Sequence, residues 1–475
     1  MNSATGIPPA AGPRPAVMGY PAHARALLAL ALPLVGSNLA QMALHVTDTV
    51  MLGWYGVVEL AAVVLGASSF FILFILGAGF AQAVMPMVAS ALGRGDEVQV
   101  RRDTRMGLWL SLLFGAAIYP VMWWSGPILI ALHQKPEVAA LAQEYLRIAG
   151  LGMAPALLIM ALKSFLSALE RAGVVLWATL AGVALNVALN WMLIFGNWGA
   201  PELGVRGAAV ASVATQVLTL AVMAGYAGLH RDFRRFNLFQ RFWRPDWPAF
   251  RQVYRLGWPI GLTGLFESGL FEAAALMMGW IGTTELAAHG IALELAAITF
   301  MCHLGLSNAA TVRTGRFQGM GDRAGLRAGA LVAIALSGVL SAIIITVFLT
   351  IPAPLVRLFL DMTNPGAEAI VAYGSALLAM AALFQLADAA QVMALGFLRG
   401  VQDTRVPMII ASVSYWLIGI PVSYVLAFPL GYGGEGLWFG LVVGLAVAAV
   451  LLMLRFWRGP WVSDRRADSG VRRRA

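Results

Sequence analysis

Twelve apolar segments constrain the fold of this chain more than any other feature of its sequence. A helix needs about 20 predominantly apolar residues to cross about 30 Å of hydrocarbon. The segments cover residues 27–49, 60–84, 106–126, 142–163, 174–196, 207–228, 256–280, 286–312, 329–351, 372–397, 407–429 and 435–457. Because they are too long and continuous for barrel strands, they predict an all-α polytopic membrane protein with twelve transmembrane helices.

Composition excludes several other classes of protein. The 475 residues are 60% hydrophobic and only 12% charged, whereas soluble domains are about 25% charged. The net charge of +9 does not indicate nucleic-acid binding, because nearly all Arg lies between the apolar segments. The single cysteine, Cys302, excludes an internal disulfide and a cysteine zinc site. We expect a lipid bilayer around the chain, no nucleic-acid partner and no cofactor.

The distribution of basic residues predicts the orientation. The loops after odd-numbered segments hold only Lys135, Arg206 and Arg357 of the 32 basic residues. Cytoplasmic loops are the basic ones, so both termini are expected in the cytoplasm, which requires an even number of spans. Residues 1–25 lack the apolar core of a signal peptide. They and the basic residues 458–475 are interpreted as cytoplasmic tails of a multi-pass protein in a bacterial inner membrane.

An internal repeat divides the chain into two lobes. At an offset of 226 residues, several Gly, Pro, Trp and Asp positions coincide. The matches include Pro33 with Pro259, Gly53-Trp54 with Gly279-Trp280, and Gly95-Asp96 with Gly321-Asp322. Each repeat holds six helices, which predicts an N-terminal lobe (26–228), a cytoplasmic linker (229–255) and a C-terminal lobe (256–457). Parallel repeats of this kind frame a midplane site in transporters, and we expect alternating access by a monomer.

Five acids stand out within the predicted spans. They are Asp48, Glu267, Glu272, Glu294 and Asp388. A carboxylate in a bilayer is costly unless it faces a cavity or a partner. No Lys, and no Arg except Arg147, lies mid-span, so the acids are predicted to lack fixed counter-charges. They are therefore expected to bind a proton, a metal cation or a cationic substrate.

Depth groups three of these acids in the C-terminal lobe. At a rise of about 1.5 Å per residue, Glu267, Glu294 and Asp388 all fall inside the apolar slab and are expected to share one pocket. Glu267 and Asp388 are a candidate Na⁺ site, the coupling ion is expected to be Na⁺ or H⁺, and a proton is expected to be bound in at least part of the cycle. Glu272 lies about 140° around the helix from Glu267, so a purely structural role is an equal alternative for it.

The N-terminal lobe offers a second polar group. Asn186 and Asn190 share one helix face, at a spacing of four residues, and are expected near Asp48. This group is predicted to bind a proton, a cation or substrate, while interhelical hydrogen bonding is the alternative for the two Asn. Pro33 and Pro259 remove backbone hydrogen bonds from their helices and are predicted hinges, although Pro is common in membrane helices anyway.

Five stretches form recognisable motifs in a fixed order. They are LPLVGSNLAQMALHVTDTVMLG (32–53), FLSALERAG (165–173), LNVALNW (185–191), GWPIGLTGLFESGLF (257–271) and FQLADAAQVMALGFLRGVQDT (384–404). Together they resemble the multidrug and toxic compound extrusion (MATE) transporters, NorM-type branch, over nearly the whole chain except its tails. The resemblance implies functional acids at Asp48, Glu267 and Asp388, with Asn186 and Asn190 on the paired-Asn helix.

The resemblance also implies an activity. Such proteins are secondary active antiporters rather than enzymes, and they export lipophilic cationic compounds in exchange for Na⁺ or H⁺. A lipid-linked oligosaccharide flippase of the same superfamily is the alternative, but flippases tend to carry basic cavity residues, which are not evident in this sequence. A passive channel would need a ring of like residues or a filter loop. A membrane-embedded enzyme would need a nucleophile or metal cluster, which we do not find in the sequence.

Overall fold

Helices form the chain wherever the structure describes it. The structure is a computed structural model that describes residues 18–240 and 242–462, and these residues contain no β-strand. Twelve helices in this part of the chain are long and apolar enough to cross a membrane, which confirms the predicted number. They are α1 (Tyr20–Tyr55), α2 (Val57–Gly93), α3 (Glu97–Trp123), α4 (Pro136–Ala168), α5 (Ala172–Phe195), α6 (Val205–Leu229), α7 (Trp247–Ile281), α8 (Thr283–Met320), α9 (Arg323–Thr350), α10 (Ala367–Gly400), α11 (Arg405–Ala427) and α12 (Gly433–Arg458).

Several helices extend beyond the apolar segments that predicted them. The helix α8 continues to Met320 and α10 to Gly400, because backbone hydrogen bonds carry a helix past the point where its residues become polar. Charged residues near the predicted ends are therefore helical. Of the predicted tails and linker, residues 1–17, Arg241 and residues 463–475 lie outside the described residues.

The helix α11 contains an irregularity that its sequence did not indicate. Residues Val413–Gly419 form a π-helical segment in the middle of the span. Such segments often occur at functional sites, because the wider turn redirects side chains. Here the segment contains Trp416, whose indole N–H donates to the backbone oxygen of Phe266 at 3.2 Å. The π segment thus holds α11 against the middle of α7.

The two lobes repeat the same local structures. Gly95 ends the α2–α3 turn with φ +72°, and Gly321 ends the α8–α9 turn with φ +70°. This left-handed conformation favours glycine. The next residue then caps the following helix: Asp96 accepts from the Gln99 amide and Asp322 from the Gly325 amide, both at 2.9 Å. The sequence repeat is therefore matched by the local structure of this turn and its helix cap.

The predicted hinge prolines also occupy equivalent places. Pro33 lies inside α1 and Pro259 inside α7, and both helices continue past their proline. Each proline lacks an amide hydrogen, so each helix has one fewer backbone hydrogen bond at that turn. Bending at these positions remains a prediction.

The lobes contact each other along one half of their length. Across the described residues, this seam runs from the helix middles to the end of the molecule that bears both termini. Its pairs include Gly79 of α2 with Gly261 of α7, Val35 of α1 with Gly305 of α8, and Ser90 of α2 with Gly319 of α8. A Cβ on Gly79 would collide with the Gly261 backbone, so small residues permit this close approach. Toward the opposite end the same face of α2 is exposed at Ile72, seven residues and about 20° from Gly79, and we infer a cleft between the lobes there.

Candidate functional site

Asp48 of α1 lies among neutral polar side chains in the N-terminal lobe. Its Oδ1 accepts a hydrogen bond of 2.5 Å from Nδ2 of Asn190 on α5, and its Oδ2 accepts one of 3.5 Å from the Ser212 hydroxyl on α6. Nδ2 of Asn190 also donates to Oδ1 of Asn186 at 3.0 Å. The structure thus brings together the three residues predicted for this lobe and adds Ser212, whose small side chain carried no distinctive sequence signal.

The Asp48 group has unused hydrogen-bonding capacity. Asn186 and Asn190 are fully buried, yet Oδ1 of Asn190 has no partner among the described residues. No described basic side chain acts electrostatically on Asp48. A carboxylate without a counter-charge, beside a free amide oxygen, suits a proton or a hard cation. Asn190 also joins α5 to α1, so the interhelical role left open by the sequence is present as well.

Glu267 of α7 and Asp388 of α10 approach each other in the C-terminal lobe. Their charges are close enough to interact, and Asp388 is buried. Nearly one turn beyond Asp388, the Gln391 side chain contacts Glu267. Gln391 Nε2 donates to the hydroxyl of Tyr415, in the π segment of α11, at 2.6 Å. Sequence reasoning missed Gln391 and Tyr415, although the spacing of Gln391 from Asp388 placed the two on neighbouring parts of one face.

This second group contains more oxygen acceptors than donors. Oε1 of Glu267, Oδ1 of Asp388 and Oε1 of Gln391 are buried without a hydrogen-bond partner in the described part of the chain. Buried polar atoms are normally satisfied, so three unsatisfied oxygens at one place require explanation. Oxygen atoms are the ligands that hard cations prefer, and a proton on either carboxyl would also supply a donor. The residues therefore fit a transported cation or proton.

The structure does not bring Glu294 to Glu267 and Asp388. On α8, Thr299 faces α10, since its hydroxyl donates to Gln385 at 2.8 Å. Glu294 lies about 140° around α8 from Thr299 at 100° per residue. Within residues 18–240 and 242–462, no three His, Cys, Asp or Glu side chains gather closely enough to hold a metal. Depth had placed the three acids together, but rotation about the helix separates one of them.

Glu294 and Glu272 instead lie on the helix faces that form the seam, beyond the part where the two lobes touch. Glu294 precedes Gly305 of α8 by eleven residues, and Glu272 follows Gly261 of α7 by eleven residues. Eleven residues correspond to about 20° of rotation, so each acid shares its helix face with a glycine that contacts the opposite lobe. Glu272 is exposed and Glu294 half-exposed. Both acids therefore face the open part of the cleft.

One basic side chain, Arg399, contradicts the prediction that the acids lack fixed counter-charges, whereas a second, Lys163, hydrogen-bonds to amides and to no described acid. Arg399, near the end of α10, interacts electrostatically with Glu267 and donates to Oε1 of Gln82 on α2 at 3.4 Å. Lys163 is buried in α4, where its Nζ donates to Oδ1 of Asn38 at 2.9 Å. The prediction is wrong for Glu267, because α10 continues to Gly400, past its apolar segment, and brings the charge of Arg399 within range of Glu267.

Comparisons with known proteins agree with this architecture. The MatE family profile matches residues 33–192 and 259–425. A probable multidrug resistance protein NorM of Rhizobium meliloti (strain 1021) is 51% identical over 439 residues, which are 92% of this chain and 94% of the relative. Another probable NorM, from Agrobacterium fabrum (strain C58 / ATCC 33970), is 44% identical and covers 91% of this chain and 93% of its own.

A solved structure shares the fold. It is an outward-facing conformation of a multidrug resistance MATE family transporter of the MOP superfamily, with a TM-score of 0.81 and 22% sequence identity. The alignment covers 91% of this chain and 94% of that one. Because the family profile covers more than half of the sequence and both NorM relatives match nearly all of it, the chain belongs to the MatE family.

Proposed function

We propose that this MatE-family transporter is a secondary active antiporter that exports lipophilic cationic compounds in exchange for Na⁺ or H⁺. The observation that carries the proposal is the pair of acids, the half-buried Glu267 and the buried Asp388, with unpartnered oxygens on both and on Gln391. Two ionised carboxylates close together in a low-dielectric interior repel each other strongly. A bound cation or proton relieves this repulsion, so the pair attracts one. The pair therefore supplies a site for a coupling ion.

Electrostatic competition supplies the exchange. A cationic compound that enters the cleft meets Glu272 and Glu294, which face its open part. Its positive charge disfavours a second cation at the nearby pair of acids, and a cation at the pair disfavours the compound by the same free energy. Coupling of this kind does not require the two ligands to touch. The cleft acids would recognise the compound, while Glu267 and Asp388 would hold the ion.

The position of the seam supports an outward-facing state. The lobes meet at the end that bears both termini, where Gly79 and Gly319 contact the other lobe. The basic loops at this end support a cytoplasmic location for it. We therefore propose that both termini are cytoplasmic, that the membrane is the bacterial inner membrane and that a single chain forms the transport path, since each lobe supplies one wall of the cleft.

The charges of the cleft favour this function over an oligosaccharide flippase. A pyrophosphate-linked substrate would need basic side chains in the open cleft. The buried Lys163 and the half-buried Arg399 donate hydrogen bonds to amides of Asn38 and Gln82 in the closed half. The open half presents Glu272 and Glu294 instead, which attract cations rather than phosphates.

Efflux from proteoliposomes tests the function. The purified protein, reconstituted with a fluorescent lipophilic cation, is expected to move that compound only when a Na⁺ or H⁺ gradient is imposed. The Na⁺ and H⁺ gradients are applied in separate experiments, and the gradient that drives transport identifies the coupling ion. Movement of the compound with neither gradient, or a channel-like electrical current, would exclude antiport.

Cysteine labelling tests the orientation and the open cleft. In a Cys302→Ser background, Ile72→Cys lies on the cleft face of α2 and is expected to react with a membrane-impermeant maleimide added outside intact cells, because Ile72 is 46% exposed. Ala83→Cys, on the same helix but buried in the seam, is expected not to react. Labelling of both variants after denaturation confirms their presence. Reaction of Ile72→Cys from the cytoplasmic side of inverted membrane vesicles, but not from outside intact cells, would reverse the proposed orientation.

A further inference from the structure

A second cavity lies outside the cleft, at the end of the molecule that bears the termini. It has a volume of about 590 Å³ and is formed by the first turns of α7 and the turn between α10 and α11. Its lining residues are Pro248, Arg251, Gln252, Arg255, Leu256, Gln402, Asp403, Thr404 and Arg405. None of these residues belongs to the two acidic groups described above, so the antiport proposal leaves this cavity without a role.

Three arginines give the cavity a net positive charge. Arg251, Arg255 and Arg405 make no hydrogen bond or ion pair with any residue in the described ranges. Arg251 and Arg255 are four residues apart on α7, and like charges at that spacing repel each other. The one acid in the lining, Asp403, is already paired with Arg455, at 2.8 Å between its Oδ2 and the guanidinium Nε. The cavity thus concentrates positive charge without an anion to balance it.

A helix terminus adds to this field. The first helical residue of α11 is Arg405, and its N-cap, Thr404, makes no side-chain hydrogen bond to the first turn. The first backbone N–H groups of a helix have no partner within the helix, and they carry the positive end of its dipole. The amides of Arg405 and Val406 are therefore the unpartnered ones, since Pro407 has no N–H and Met408 donates to Thr404. They lie at the cavity that holds the three guanidinium groups, an arrangement that suits phosphate.

The neighbouring aromatic residues place the cavity at the depth of lipid headgroups. Trp247 and Tyr254, on the first turns of α7, are 61% and 49% exposed. Trp and Tyr concentrate where the hydrocarbon meets the headgroups. A basic pocket between membrane helices at that level matches the requirements of an anionic lipid.

We propose that this cavity binds the phosphate headgroup of an anionic phospholipid, held by Arg251, Arg255 and Arg405. Each guanidinium group can donate two parallel hydrogen bonds to phosphate oxygens. Three arginines can therefore surround the phosphodiester of one lipid headgroup. The bound lipid would join the start of α7 to the end of α10, the two helices that carry Glu267 and Asp388. This inference concerns lipid binding and does not depend on the coupling ion.

Lipid binding to the purified protein tests the proposal. The protein in detergent is titrated with phosphatidylglycerol, with phosphatidylcholine as the zwitterionic comparison, and bound lipid is counted by native mass spectrometry. The triple variant Arg251→Gln/Arg255→Gln/Arg405→Gln is expected to lose about 100-fold in affinity for phosphatidylglycerol, since each arginine near an anionic lipid contributes about fivefold.

A control variant has the same change in net charge, but at arginines outside the cavity. Arg25→Gln/Arg101→Gln/Arg234→Gln removes three arginines at the same end of the molecule but outside the cavity, and it is expected to bind phosphatidylglycerol like the unmodified chain. An equal loss in both triple variants would overturn the proposal, because binding would then reflect overall charge. It would also be overturned if inorganic phosphate displaced the lipid at the same concentration, since the cavity would then be a site for soluble phosphate.

Discussion

Asp388→Asn is expected to reduce ion-driven efflux by about tenfold or more, the scale of a typical coupling free energy between two sites. Asparagine preserves the shape of the side chain and removes its charge. Glu267 then lacks the neighbouring carboxylate with which it interacts, so a cation at the pair loses half of the negative charge that attracts it. Efflux of a fluorescent lipophilic cation from proteoliposomes, under the gradient that drives the unmodified protein, measures the loss.

Glu294→Gln is the matched control for Asp388→Asn. It also removes one carboxylate from a membrane helix, but it does so on the cleft face of α8, away from α10. We expect a weaker apparent affinity for the cationic compound and an unchanged dependence on the driving ion. Should Glu294→Gln lose the ion dependence while Asp388→Asn keeps it, the roles assigned to these two acids would be wrong.

Hydropathy and charge were sufficient to predict the fold of this chain. Each apolar segment is long enough to specify one spanning helix, and the repeat from Pro33 to Asp322 specifies two equivalent lobes. The seam could not be predicted in the same way. Its glycines, such as Gly79 and Gly261, contact each other across lobes that are distant in sequence. Their effect depends on how two assembled lobes meet.

The candidate site was only partly predictable, because a sequence gives depth more reliably than direction. Asn186 and Asn190 were correctly expected beside Asp48, since their spacing fixes a common helix face. Glu294 was grouped with Asp388 by depth alone, and its rotation about α8 directs it elsewhere. Arg399 was missed for a different reason: it follows the apolar segment, but α10 continues past that segment and the charge of Arg399 acts on Glu267.

Asp48→Asn is expected to reduce efflux by about fivefold or more, the lower end of typical coupling between sites. The change retains an oxygen that can accept the hydrogen bond from Asn190, so α1 and α5 stay joined and the lobe keeps its shape. It removes a negative charge that no described basic group compensates. The loss of transport would therefore be electrostatic, with little change in thermal stability. Proteoliposome efflux and a melting curve of the same preparation measure the two effects.

Ser212→Ala separates the charge of Asp48 from its hydrogen bonds. It removes the donor that lies 3.5 Å from Oδ2 of Asp48 and leaves the carboxylate in place. Because so long a hydrogen bond contributes little, efflux is expected to stay within about twofold of the unmodified chain.

Normal efflux by a well-folded Asp48→Asn protein would show that Asp48 only joins helices. If Ser212→Ala instead lost as much transport as Asp48→Asn, the hydrogen bonds around the carboxylate, rather than its charge, would be what transport requires.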